Sequence, residues 1–301
     1  MIVSLGSQKG SQKDFRSLVF SGEYREILMH TKTIPYVRAL LILMGSAYCV
    51  QSSAAPTRTP IGHSFKTAWG GNALSKGNLG LIDSNATATH QTNSIEGWTV
   101  LVSRRLLTEE KEATAKALEL MREQLQEIVR VVPAPAVAKL REVTLWFSPE
   151  YAGVQPRAEY HPGAGWLRDN GRDPAMVKSV EFTNVRSFES ETKRMPNFTL
   201  HELAHGYHDR VLSRGFDNAE IKAAFQKAKA GGKYNQVQRR DAKGNMRLDR
   251  AYALTNPMEY FAESTEAFFS TNDFFPFNRA ELEQHDPEME RLLGQLWGTS
   301  K

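Results

Sequence analysis

The 301-residue chain predicts an α+β domain, a small mixed sheet packed on helices, one of which carries the five residues HELAH. Three observations lead there. Residues 108–132 repeat apolar side chains at close to 3.6-residue spacing. Short apolar runs at 98–101, 143–147 and 179–185 alternate with Pro-Gly and Asp-Asn-Gly turn signals. Residues 197–212, NFTLHELAHGYHDRVL, then return to helical spacing.

The first elements follow from composition. Residues 1–28 sit upstream of a second methionine, Met29, which we read as the true start, with 1–28 as a mis-annotated extension. Residues 29–55 have the three parts of a secretory signal peptide: Lys32 and Arg38, the apolar run 39–50, and small residues at 52–55. That run is short of the 20 or so residues of a comfortable membrane span. An uncleaved anchor or a core helix is the competing reading. A cleaved signal predicts a secreted or periplasmic chain with no stable membrane insertion. Cys49, the only cysteine, lies inside it, so the mature chain has no thiolate to offer a metal. The formal charge of +4 falls to about +1 without residues 1–55, and predicts no nucleic-acid partner. Hydrophobic content of 41% is enough for a sizeable core.

Residues 56–94, rich in Gly, Ser, Thr and Asn, read as an extended arm or linker, with His63 and His90 as solvated loop histidines. The domain proper is 95–301. It opens with a strand at 98–101. A helix at 108–132 follows, capped by Thr108, with Glu109, Glu110 and Glu112 near its positive end. Pro133 and Pro135 end it. Further strands are expected at 143–147, 158–161, 165–168 and 179–185, with His161 as a turn residue before Pro162. Residues 180–185 are the expected edge strand along which an extended peptide could pair. After the HELAH helix come a helix at 219–230, a hairpin at 234–239 and 246–252, a helix from Pro257 to Ser270, a second capped helix from about Asn278, and an apolar tail through Leu292, Leu293, Leu296 and Trp297.

The chemistry centres on HELAH. Residues four apart stand one above the other on a helix. His201 and His205 therefore offer two imidazole nitrogens to one ion, with Glu202 beside it as a base for a Zn-activated water. A catalytic zinc takes three protein ligands and keeps one position open. A third histidine six residues on is not met, because His208 replaces the glycine and Val211 the histidine of that longer pattern. His208 is read as facing protein or solvent. The source of the third ligand is the helix NPMEYFAESTEAFF, where Glu259, Glu263 and Glu266 share a face and would repel one another unless something positive lay opposite. Glu259 also has the spacing to close a capping box on Asn256, and Tyr252 could be an ordinary strand aromatic.

HELAH on one helix and a glutamate on a later one resemble the gluzincins, the thermolysin-like zinc peptidases. The stretch AYALTNPMEYFAESTEAF is similar to the anthrax lethal factor-like and Pro-Pro endopeptidase catalytic domains. The resemblance covers about 70 residues, 197–270, and implies a zincin-like metalloprotease domain. It also implies one catalytic Zn2+ on His201, His205 and Glu259, Glu202 as general base, and Tyr252 as donor to the tetrahedral oxyanion. Glu263 would hold a ligand histidine in its tautomer. The expected activity is an exported zinc endopeptidase acting on a peptide or protein substrate. Asp209 is either a surface acid or a further support. Two other readings stay open: a zinc-stabilised binding module without catalysis, and a zinc hydrolase of a non-peptide amide. Glu202 separates the first of these, since a purely structural zinc needs no acid there.

Overall fold

The computed structural model describes residues 89–299. The sequence expectations for 1–28, 29–55 and most of 56–94, including Cys49 and His63, lie outside them. Strands β1 (His90–Ile95) and β2 (Trp98–Ser103) lead into helices α1 (Arg104–Glu109), α2 (Lys111–Val131) and α3 (Ala134–Leu140). Strands β3 (Leu145–Phe147), β4 (Ala158–Tyr160) and β5 (Val180–Phe182) follow, with the short helix α4 (Ala164–Asp169) between β4 and β5. Helices α5 (Phe188–Arg194), α6 (Phe198–Arg210) and α7 (Ala219–Gly231) precede the hairpin β6 (Val237–Arg240) and β7 (Met246–Asp249). Helices α8 (Pro257–Phe269), α9 (Arg279–His285) and α10 (Pro287–Leu296) complete the chain. The protein is thus α+β, with one small mixed sheet in the order β1-β2-β3-β5-β4. No helix among the described residues is long and apolar enough to cross a membrane.

The central strands are largely apolar on both sides because both faces of the sheet are covered. Val100, Val102, Leu145, Phe147, Val180 and Phe182 enter the main core, which α2 and α6 share. Leu101 and Trp146 point the other way and pack with Leu167 of α4 and Met176. Glu181 also faces that reverse side, fully buried. It is held by His161 Nε2 at 3.0 Å, the Tyr151 hydroxyl at 2.8 Å and the Arg172 guanidinium. Burial alone would raise the Glu181 carboxyl, but these partners outweigh it and hold its pKa below the ordinary carboxylate value. Behind the two site helices, Trp297 stacks on Tyr207 with ring centroids 4.0 Å apart and donates to Thr265 Oγ1. The C-terminus thereby packs against both α6 and α8.

Several expectations need correction. Residues 90–95 are not arm but strand β1, antiparallel to β2, and His90 meets Trp146 edge to face. Residues 165–168 are helical (α4), with Leu167 alone fully buried. One buried position in six cannot distinguish a helix from a strand by period. Thr108 does not cap the long helix. It lies inside α1, its hydroxyl donating to Arg105 O at 3.0 Å, and the chain turns at Glu110 before α2 begins. His161 does follow β4 in a loop, but it is 1% exposed, in the Glu181 cluster. β5 is not an edge, because it pairs with β3 on one side and β4 on the other. The edge strands are β1 and β4.

Candidate metal centre

Helix α6 is fixed at its N-terminus before any ion is considered. Asn197 caps it, accepting from Leu200 N at 3.1 Å, while Asn197 Nδ2 donates to Gln124 O of α2. Gln124 Oε1 in turn accepts from Thr199 N at 3.0 Å. Two of the orphan amides of the first turn are thus satisfied internally, so α6 can be buried along nearly its whole length. Helix α8 is capped by Asn256, which accepts from Met258 N and Glu259 N, both at 2.9 Å, with Pro257 at the first position. The Glu259 carboxylate turns to the histidines of α6 instead of back to Asn256, so a closed capping box does not form.

Where α6 and α8 cross, three ligand atoms converge. Glu259 Oε2 lies 3.1 Å from His201 Nε2 and 3.4 Å from His205 Nε2. The ligand atoms of His201, His205 and Glu259 all fall within 4.8 Å of one another. Two imidazoles and a carboxylate at that spacing could hold one metal ion, with no thiolate needed. Burial opposes a charge on His201. The bonds to Glu259 and Glu266 outweigh it and push the imidazole well above its ordinary pKa. The same attraction holds the Glu259 carboxyl far below the usual range despite its burial. A pocket that so strongly favours positive charge suits a cation as well as a proton.

The other nitrogen of His201 is held by Glu266, whose Oε1 is 2.6 Å from Nδ1. The sequence reading gave that task to Glu263. Glu263 Oε1 stands 3.7 Å from Nδ1, and its Oε2 accepts from Asn272 Nδ2 at 3.1 Å. Asn272 turns Glu263 aside, and the carboxylate two turns beyond Glu259 meets the ring instead. Both glutamates are buried, and burial raises both pKa values, Glu266 to about 7 and Glu263 well above the ordinary value with Glu266 adding repulsion. A carboxylate on Nδ1 fixes Nε2 as the metal-facing nitrogen.

Glu202 is one residue past His201 and points into the same cleft, a space of about 400 Å³ that Tyr252, Arg157, Arg194 and Asp273 also line. Its Oε2 accepts from the Tyr160 backbone N–H at 2.9 Å. Burial, reinforced by the nearby Glu259 charge, raises its pKa against the pull of the two histidines. That is the direction a proton-shuttling carboxylate needs. Tyr252 was expected at the end of a strand, but β7 stops at Asp249 and Tyr252 opens a 3-10 turn, 252–254. It is 47% exposed at the mouth of the cleft. Burial of its hydroxyl and the Glu259 charge keep it protonated, and so a donor.

The structure also places the two residues of α6 whose surroundings the sequence left open. Asp209 binds the Tyr160 hydroxyl at 2.8 Å and Lys178 Nζ at 2.5 Å. His208 faces the protein, fully buried between Phe216 and Phe261, with neither ring nitrogen partnered. Burial, with His205 adding repulsion, lowers its pKa from 6.5 to about 4. The unfolded chain therefore takes up this proton first, so stability is full above about pH 6.5 and declines as the pH falls toward 4. The loss is on the order of 3 kcal/mol. His208→Leu should flatten that decline in denaturation curves between pH 7 and 5. Parallel profiles for variant and wild type would contradict it.

No protein-family model, curated protein or solved structure matches this chain.

Proposed function

We propose that the protein is a zinc-dependent endopeptidase of the zincin type, akin to the gluzincins, exported by its N-terminal segment and acting on a peptide or protein substrate. The observation that carries this reading is the meeting of His201 Nε2, His205 Nε2 and the Glu259 carboxylate at one point, with Glu202 beside them as a carboxylate outside the ligand set. A zinc ion held there supplies Lewis acidity toward water and the scissile carbonyl. Glu202 takes the proton from the attacking water and delivers it to the departing amine. The Tyr252 hydroxyl donates to the developing oxyanion, an interaction worth roughly 3 kcal/mol in comparable sites.

The polypeptide lies along β4, in place of the β5 edge expected from sequence. On the β5 side of β4, the Arg157 carbonyl accepts from Thr183 N–H, the Arg157 N–H donates to Thr183 Oγ1, and His161 N–H donates to Ser179 O. The antiparallel alternation then turns the N–H and C=O of Ala158 outward at the cleft. An extended peptide can pair there by strand addition. The test of the ligand set is zinc content after dialysis. The wild type should hold one zinc per chain, and His205→Ala none. Equal zinc in the two would reject this site.

A further inference from the structure

Tyr160 touches the metal helix at two points about two turns apart. Its backbone N–H donates to Glu202 Oε2 at 2.9 Å, and its hydroxyl to Asp209 Oδ2 at 2.8 Å. Glu202, Gly206 and Asp209 lie at i, i+4 and i+7, on one face of α6. The Tyr160 ring spans the gap over Gly206. A Cβ at Gly206 would come within 3.3 Å of Tyr160 Cε2 and 3.1 Å of Val143 Cγ2. Bare backbone is thus what lets the ring lie so close to the helix. Burial, with the Asp209 charge, pushes the Tyr160 hydroxyl far above its ordinary pKa, so it stays a donor. Lys178 closes the far end on Asp209 and ties its own N–H to His161 O, directly after β4, at 2.7 Å.

An anchor serving the fold alone would join the strand to the helix through any polar side chain. Here one of the two ties is the carboxylate of the general base itself, and the strand is the edge that lines the cleft. We propose that Tyr160 and Asp209 are positioning residues of the hydrolytic site, a clamp that sets β4 against α6 and so fixes one oxygen of Glu202. The proposal rests on the endopeptidase reading above. With Oε2 held on the Tyr160 amide, Oε1 is left to the reaction. The clamp also spends the Tyr160 N–H, leaving Ala158 as the pairing position for a peptide. Loosening it would let Glu202 drift, and misplacement of about 1 Å can cost about 10²-fold in rate.

The test uses the zinc-loaded full chain and three variants. Tyr160→Phe removes only the hydroxyl, Asp209→Leu removes its acceptor, and Asp209→Asn keeps a carbonyl oxygen to accept it. Tyr160→Phe and Asp209→Leu should each lower kcat roughly tenfold, with little change in KM or zinc content. The double variant should be no worse than the weaker single one. Asp209→Asn should retain most of the rate. Amide exchange across residues 158–161 should rise in the variants that lose rate. A wild-type kcat in Tyr160→Phe, or losses that follow zinc content, would overturn the proposal. If the wild type binds zinc but cleaves nothing, the endopeptidase reading fails and takes the proposed role with it. Exchange rates then show only whether the physical clamp exists.

Discussion

Glu202→Gln should lower peptide cleavage by roughly 10³-fold while leaving zinc in place. The magnitude follows from the proton transfers assigned to this side chain, since a positioned general base contributes about 10² to 10⁴. Gln is the discriminating replacement because its carbonyl oxygen can still accept the Tyr160 N–H that now binds Oε2. Shape, packing and the strand contact survive, and only the ability to take up a proton is lost. Turnover should therefore fall with little change in KM, the pattern of an interaction made in the transition state. Cleavage within a few fold of wild type would remove Glu202 from the mechanism.

Zinc affinity should suffer most from Glu259→Ala, less from Glu266→Ala and least from Glu263→Ala. Glu259 supplies the carboxylate lying between the two Nε2 atoms. Its removal leaves two ligands, too few for the three that catalytic zinc sites use, and the ion should be lost on dialysis. Glu266 acts through His201 Nδ1 at 2.6 Å, and loss of such a partner costs about 10 to 100-fold in affinity. Glu263 is 3.7 Å from the same nitrogen and tied to Asn272, so its effect should be the smallest. Competition with a fluorescent chelator would rank the three. A larger loss from Glu263→Ala than from Glu266→Ala would restore the sequence-based assignment.

That reversal shows where sequence reasoning stops. His201, Glu202 and His205 were legible from their spacing on one helix, whereas Glu259 was singled out from Glu263 and Glu266, which share its face, only by the resemblance. In the structure His201, Glu202, His205 and Glu259 line one cleft where α6 and α8 cross. Glu263 and Glu266 occupy the same helix face, and the choice between them depends on Asn272, which lies beyond the end of α8. No local pattern encodes that. The strand β1 escaped notice because HQTNSI is polar apart from its last residue. As an edge strand it has one neighbour and little apolar burial to advertise. Tyr160 and Asp209 are 49 residues apart, and only the packing of β4 on α6 makes them partners. His161 and Glu181 likewise meet across adjacent strands, and an isolated X-Pro histidine gives no hint of such burial.

The central claim is tested most directly by digesting a broad peptide library with the zinc-loaded protein, with and without chelator, beside Glu202→Gln. The account predicts cleavage by the wild type that chelator abolishes and zinc restores, and that Glu202→Gln nearly lacks although it holds its zinc. A zinc-replete wild type that cuts nothing in the library, or cleavage that persists in chelator, would contradict it.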